Sequence, residues 1–373
     1  YHMRREFLIK SIVFLLFLVS FVSVAQHHDQ TGHHSSPATA ANAKTSLKKQ
    51  IKDFINHHLL DSHDFGLYSS EDEAGNVTHV GFPLPVILWD QEAGLTIFSS
   101  SKFHHGEKVA AVAGNFYKLY HGKIFKTSAS GAISYDDHHH VTNTKPLDFS
   151  ITKNVAFIFL VSLLMLFVFV KMAGNYKKNP LPKGIGRLLE PIILYIRDDI
   201  AIPNIGEKKY KNYMSYLLTV FFFVWIINLL GLTPLGVNVT NNISVTLALA
   251  LITYFLTTFT ANKNYWKHIF WMPGVPTPMK FLLAPIELLG TFIKPFSLMI
   301  RLYANITAGH IVLMSIIGMM FVFKNWIGSP LSFGLAFALS LLELLVAALQ
   351  AYIFTMLSAL YFGSAVEEHA EHH

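Results

Sequence analysis

Residues 285–310 read PIELLGTFIKPFSLMIRLYANITAGH. In this otherwise apolar stretch Glu287, Lys294 and Arg301 stand seven residues apart. At about 100° per residue in an α-helix, that spacing places the three charges within about 40° of one another. A charge at the centre of a bilayer costs at least about 2.5–3.5 kcal/mol, so charges in an apolar helix mark a candidate functional site. The pattern predicts a membrane helix with one charged stripe, near which Ser297 and Asn305 also lie.

The helix with this stripe is too long to cross a bilayer upright. Helical periodicity over 281–323 corresponds to about 64 Å, against a hydrocarbon core of about 30 Å. A second segment, 331–362, would measure about 48 Å. Both segments either break into hairpins, at Pro295 and 305–309, or lie steeply tilted. Because only one span of uncharged residues follows Arg301, a hairpin would strand charges in lipid, and tilted helices are favoured.

Three further spans precede this pair, and loop charges orient them. The uncharged stretches lie at about 151–172, 212–232 and 243–262. Segments 172–211 and 263–280 are basic, whereas the turn between them carries no charge. Basic loops face the cytoplasm. The chain before the first span is therefore expected outside the cytoplasm, and the C-terminus inside it.

Apolar residues also recur in the first basic segment. They are Ile185, Leu188, Leu189, Ile192, Ile193 and Ile196. Because they repeat at i, i+3, i+4 and i+7, they predict an amphipathic helix that lies on the bilayer or against a partner.

The composition agrees with a membrane protein. Of 373 residues, 52% are hydrophobic and 14% charged, whereas a typical globular domain has about 25% charged residues. The net charge of +6 suits cytoplasmic loops better than nucleic-acid binding. With no cysteine in the chain, disulfides, thiol nucleophiles and cysteine-ligated zinc are excluded.

The N-terminal segment 3–25 has the features of a secretory signal peptide. A basic start is followed by the apolar stretch 12–22 and by the small residues of Ser23-Val24-Ala25. Cleavage is expected before Gln26. The alternative is an uncleaved anchor helix, for which the apolar stretch is short.

Residues 26–148 are polar and predict a small extracytoplasmic α+β domain. The spacing over 45–58 favours a helix, and 77–98 and 117–135 favour short strands. This region holds 14 of the 20 histidines, among them His27-His28, His104-His105 and His138-His139-His140. Such clusters can bind metal, but no spacing defines a tetrahedral set, so solvated surface is favoured. No metal or cofactor site is predicted.

Three more polar residues lie in the long C-terminal helices. His310 is nine positions beyond Arg301, on the opposite helix face, and Glu343 shares one face of the last helix with Gln350. Each has a structural alternative: His310 as a packing residue and Gln350 as helix–helix glue. Arg301 could pair with a fixed carboxylate, and Glu287 and Lys294 could neutralise each other or reach the surface. Glu343 has no basic residue near it in sequence, so its charge would be costly unless it meets His310 or is protonated.

In order and spacing, the quoted segment resembles the arginine helix of subunit a of the F-type ATP synthase. Further support comes from Asn228–Pro234, Asn238-Val-Thr, Leu349–Phe354 and Glu367-Glu368-His369. The resemblance covers about residues 150–369. It implies a membrane domain over 149–373 that acts with the c-subunit ring, the b-subunit peripheral stalk and the lipid membrane. It also implies a bacterial inner-membrane protein that is not an enzyme by itself.

The resemblance also implies a role for each matching position. Arg301 looks like the stator arginine that faces the ring carboxylates, with Asn305 and Gln350 as polar neighbours. His310 and Glu343 look like the pair that lines the extracytoplasmic half-channel, in an order exchanged relative to some bacterial relatives. Glu287, Lys294 and Ser297 form a secondary polar stripe.

These observations predict an all-α polytopic membrane protein. It has about five spans, an interfacial amphipathic helix and the small outer domain. The alternative function is a secondary ion-coupled transporter, but such proteins typically show internal repeats and broken helices. No repeat relates 150–260 to 280–370.

Overall fold

A computed structural model of the chain describes residues 61–71, 77–106, 108–120, 122–136, 141–178, 184–233, 239–272, 275–322 and 328–367. The described residues fall into two compact units, one from Asn56–Leu160 and one from Val161–His373. Several predicted features lie outside the described residues: the signal peptide 3–25, the helix at 45–58, and the histidines His27-His28 and His138-His139-His140.

The first unit consists mainly of short antiparallel strands. They are β1 (Asp64–Glu71), β2 (Val77–Pro83), β3 (Pro85–Asp90), β4 (Gly94–Ser99), β5 (Ala110–Val112), β6 (Asn115–Tyr120), β7 (Lys123–Thr127) and β8 (Leu147–Asp148), with a 3-10 helix at Ser100–Gly106. Three sheets form, with strand orders β1-β2, β4-β3-β8 and β5-β6-β7. Strands are present in both regions where the sequence predicts them.

The core of this unit lies between the two three-stranded sheets. Its buried side chains are Val86, Leu88, Phe98, Phe103, Ala110, Tyr117 and Ile124. Asp90, buried at the end of β3, accepts a hydrogen bond from the Tyr117 hydroxyl at 3.2 Å and lies 2.8 Å from Lys126 Nζ. The hydrogen bond from Lys126 holds the pKa of Asp90 below its usual value, although burial opposes this shift. One carboxylate thus joins β3 to β6 and β7.

The remaining described elements are helical. They are α1 (Lys153–Lys178), α2 (Gly186–Tyr195), α3 (Ile202–Ile205), α4 (Tyr210–Gly231), α5 (Ile243–Thr260), α6 (Lys263–Phe270), α7 (Thr277–Val322) and α8 (Gly328–Val366). Five of them, α1, α4, α5, α7 and α8, are long and apolar enough to cross a membrane. This agrees with the predicted number of spans.

Helices α7 and α8 are unbroken over 46 and 39 residues. The hairpin alternative is therefore wrong, and the tilt of these helices stays a prediction. Pro295 lies inside α7, where it is buried, and prolines are tolerated in membrane helices when surrounding groups satisfy the freed carbonyls. Helix α7 begins four residues before the predicted start because Pro278 falls in its first turn, where no backbone N–H is needed.

The predicted amphipathic helix extends further than its apolar pattern. After α2, a π-helical turn (Ile196–Ala201) leads directly into α3. Ile196, Ile200 and Ile205 are buried, and this segment packs against α8. At Gly363 of α8 an added Cβ would lie 1.9 Å from the carbonyl oxygen of Asn204. The sequence predicted that this helix lies either on the bilayer or against a partner. Its continuation, the π-helical turn and α3, packs against α8 of the same chain.

Polar groups cap the C-terminal end of α8. The backbone N–H of Asn262 donates to the carbonyl of Ala365 at 2.8 Å. The Asn262 side chain and Lys209 Nζ both donate to the carbonyl of Val366 at 3.0 Å. The last carbonyls of a helix lack intrahelical partners, and these donors satisfy them. They also set the axial position of α8 relative to α4 and α5.

Candidate functional site

Packing of α7 against α8 brings two of the predicted polar residues together. His310 Nδ1 lies 3.7 Å from Glu343 Oε1, and both side chains are buried. Within the described part of the chain, neither carboxylate oxygen of Glu343 accepts a hydrogen bond. Because a buried carboxylate without hydrogen bonds is costly, the His310 imidazole at 3.7 Å is the nearby group that can balance its charge when protonated.

Gly309 creates the space that the Glu343 carboxylate occupies. A Cβ added at Gly309 would lie 2.8 Å from Glu343 Oε1 and 3.4 Å from its Cδ. The carboxylate thus rests against the backbone of α7, one residue from His310. Sequence reasoning assigned no role to Gly309, because this need for glycine depends on the approach of α8.

Further polar groups continue from His310 towards the connection between α4 and α5. Thr307, one turn before His310, donates a hydrogen bond to the side chain of Asn241 in the 3-10 helix Val239–Asn241. The Thr240 hydroxyl next to it donates to Asn228 Oδ1 at 3.0 Å. The Asn228 amide nitrogen is buried and has no hydrogen-bond partner among the described residues. Sequence reasoning assigned no functional role to Thr307 or Asn241.

The charged stripe of α7 divides into two environments. Arg301 is half-buried and forms no ion pair within the described structure. Its neighbours Ser297 and Asn305 are exposed, as are Ile300, Ala304 and Ala308. We call these six residues the arginine face. No described element of the chain covers its exposed members.

Lys294 departs from this face. Its Nζ lies 5.6 Å from the centre of the Tyr361 ring, a cation–π contact. Glu287 is half-buried, and no ion pair joins it to Lys294 in the described chain. The mutual neutralisation considered for these two residues is therefore not formed.

Gln350 also differs in environment from Asn305. It is buried on the face of α8 that also buries Ala347, Ala351 and Phe354. The structure thus brings His310 and Glu343 together, places Arg301 and Asn305 on one surface, and places Gln350 inside the helix bundle.

Lys294 borders a small pocket that is partly open to the surface. The hydroxyl groups of its lining come from Thr253, Thr257, Thr291, Tyr254, Tyr265 and Tyr361. On α6, burial raises the pKa of Tyr265. The sequence did not indicate this cluster, since isolated hydroxyls are common in apolar helices.

Metal binding finds no support in the described ranges. No group of three or more His, Asp or Glu side chains there could hold a metal ion. His104 and His105, one of the predicted pairs, lie in the 3-10 helix Ser100–Gly106.

Comparison with protein families gives two matches. A family described as ATP synthase A chain matches residues 155–363. A domain of unknown function, DUF8433, matches residues 54–149.

Individual relatives align over the same C-terminal part. The ATP synthase subunit a of Chloroherpeton thalassium is 41% identical over 234 residues, which are 60% of this chain and 69% of the relative. Two strains of Chlorobium phaeobacteroides have an ATP synthase subunit a with 43% and 45% identity. In both cases the match covers 60% of this chain and 68% of the relative.

Proposed function

This chain belongs to the ATP synthase A chain family, and from that premise we propose that it provides two half-channels and the arginine that couple proton translocation to rotation of a c-subunit ring. It is a multi-pass membrane protein, and other ATP synthase subunits are its partners. We assign the c-ring and the b-subunit peripheral stalk as the direct ones. By itself the chain catalyses no reaction in this proposal.

The position of Arg301 carries the proposal. Its guanidinium is permanently protonated, lies on an apolar helix and has no acidic partner in the described chain. A cation in such a place is costly without a counter-charge. A carboxylate on a moving ring supplies one each time it passes the arginine face, where Ala304 and Ala308 allow a helix to approach closely.

The chemistry at Arg301 follows from the cost of burying charge. A ring carboxylate can turn through lipid only when it is protonated, because the ionised form would be poorly solvated. At the arginine face it releases its proton, since the guanidinium stabilises the anion. The same positive charge repels a proton that would pass directly from one half-channel to the other. Transport is thereby coupled to rotation.

His310 and Glu343 form the inner end of the extracytoplasmic half-channel in this proposal. Histidine titrates near neutral pH, so the pair can accept and pass on protons. Thr307 and Asn241 extend the polar path towards the α4–α5 connection. Asn305 lies near the ring carboxylate, and Gln350, expected beside Arg301, is a polar residue inside the bundle. Glu287, Lys294 and Ser297 lie on the cytoplasmic side of Arg301 in this proposal.

The proposed orientation follows from the basic loops. The protein lies in the bacterial inner membrane, with α2 and α6 on the cytoplasmic side and the C-terminus in the cytoplasm. The N-terminal domain lies outside, after removal of the signal peptide.

Photo-cross-linking in the assembled complex tests the proposed ring contact. A photoreactive amino acid replaces Ile300, which is exposed on the arginine face, and in a matched variant replaces Leu163, which is exposed on α1. We expect adducts with the ring subunit from position 300 and none from position 163. Equal ring adducts from both positions, or none from position 300, would contradict the assignment.

The substitution Gly309→Ala tests the position of the Glu343 carboxylate. The added Cβ would lie 2.8 Å from Glu343 Oε1, so the carboxylate must move. We expect ATP-driven proton pumping in inverted vesicles to fall about tenfold or more, because displacements of about 1 Å can cost up to a hundredfold. Gly290→Ala on the same helix is the control, since its added Cβ meets nothing within 4 Å. Equal pumping by the two variants would rule out the positioning role of Gly309.

A further inference from the structure

The sheet β4-β3-β8 has an outward face with two adjacent rows of apolar side chains, next to which Ser99 is the exposed polar residue. Strand register pairs Trp89 with Leu95 on one side and Leu147 on the other. In the next row Ile87 pairs with Ile97, and the Phe149 N–H donates to the Ile87 carbonyl at 2.9 Å. We call these six residues the outer sheet face.

The outer sheet face is open in the described structure. Relative exposures are 51% for Trp89, 57% for Leu95, 61% for Ile97, 62% for Leu147 and 64% for Phe149. The opposite side of the same strands is already buried in the domain core. In antiparallel sheets one face commonly packs on the core, and the other face exposes polar residues to water. Contiguous apolar patches on a protein surface usually mark an interaction site.

The sheet is tied to the start of a membrane helix. The N–H of Ile151 donates to the Pro85 carbonyl at 3.1 Å, and the N–H of Lys153, the first residue of α1, donates to the Ser62 carbonyl at 2.8 Å. Phe149 precedes α1 by four residues, a chain length that spans at most about 14 Å. The headgroup layer on each side of a bilayer is about 5–8 Å thick. One row of the outer sheet face is therefore within reach of that layer.

We propose that the outer sheet face is a lipid-contact surface that rests in the headgroup layer beside the start of α1. Tryptophan is enriched at this depth of the membrane, where an amphipathic ring suits the mixed environment. The six side chains carry no charge, so the contact depends on apolar and aromatic groups and requires no anionic lipid. Lipid is favoured over a protein partner because the hydrogen bond from Ile151 to Pro85 ties the sheet to the residues that lead into α1, and this keeps the face close to the bilayer in every copy of the chain.

The absence of cysteine in the sequence makes a site-specific test direct. Ile97→Cys places a fluorophore on the outer sheet face, and Lys123→Cys places it on an exposed position of the other three-stranded sheet. Both variants are studied in the assembled complex in phosphatidylcholine vesicles that contain nitroxide-labelled lipid. We expect lipid nitroxides to quench position 97 several-fold more than position 123, and aqueous iodide to show the reverse order.

Three results would overturn the proposal. Quenching of position 97 by iodide alone would place the face in water, and protection from both quenchers would mean that protein covers it. Equal quenching of positions 97 and 123 by the labelled lipid would show that lipid contact is not specific to the outer sheet face. If labelling disturbs assembly, the difference in intrinsic fluorescence between the unsubstituted chain and Trp89→Phe serves instead. If the proposal is right, brominated phosphatidylcholine quenches the part of the tryptophan fluorescence that Trp89→Phe removes. If it does not quench that part, the proposal is wrong.

Discussion

Arg301→Ala is expected to abolish coupled ATP synthesis and at the same time to let protons leak. Synthesis should fall at least about a hundredfold, the scale on which loss of one preorganised charge-stabilising group lowers rates. The leak is expected because no fixed positive charge then separates the two half-channels. ATP synthesis and passive proton conductance are measured together in inverted membrane vesicles.

Two further variants make this prediction specific. Arg301→Lys keeps a positive charge but loses the planar guanidinium and can deprotonate when buried, so we expect it to fail nearly as badly. Arg187→Ala removes an exposed arginine from α2, outside the five spans, and should leave synthesis within about twofold of the unsubstituted protein. Substantial synthesis by a normally assembled Arg301→Ala complex would show that this arginine is structural.

The membrane part of the fold could be predicted from the pattern of apolar and charged residues along the chain. Spans, loop charges and the spacing of Glu287, Lys294 and Arg301 depend on hydropathy and helical periodicity, which local sequence reports directly. His310 and Glu343 lie in apolar helices, and the sequence indicated that they could meet. The structure places His310 beside Glu343.

Features that depend on how helices are aligned could not be predicted. The space that Gly309 leaves for Glu343, and the contact of Lys294 with Tyr361, exist only at one axial position of α8. That position is set by contacts such as the one between Asn262 and Ala365, which are far apart in sequence. Burial of Gln350 has the same origin.

The N-terminal domain shows a different limit. The sequence of 77–98 predicts strands. Because β3 has apolar side chains on both of its faces, periodicity alone could not distinguish the face that packs in the core from the face that is exposed. Only the pairing of β3 with β4 and β8 reveals that Trp89 and its neighbours form one surface. The hydrogen bond from Ile151 to Pro85 then ties the sheet to the residues that lead into α1.

The exchange of His310 and Glu343 is expected to restore function that each single substitution removes. His310→Ala and Glu343→Gln should each lower ATP-driven proton pumping about a hundredfold or more, because a positioned proton-transfer group typically contributes about 10²–10⁴-fold. His310→Ala leaves a buried carboxylate whose oxygens have no hydrogen bond in the described structure. Glu343→Gln removes the negative charge that faces His310.

The double variant His310→Glu with Glu343→His keeps one imidazole and one carboxylate at the same two positions. The exchange changes which helix carries each group but preserves the pairing of an imidazole with a carboxylate, which is what the proposed relay requires. Pumping should therefore exceed that of the single variants His310→Glu and Glu343→His, each of which holds two like groups. Gly309 must remain in every variant, since its missing side chain leaves the space for the residue at position 343. If the exchange pumps no faster than either single variant in normally assembled complexes, the two residues do not act as one relay.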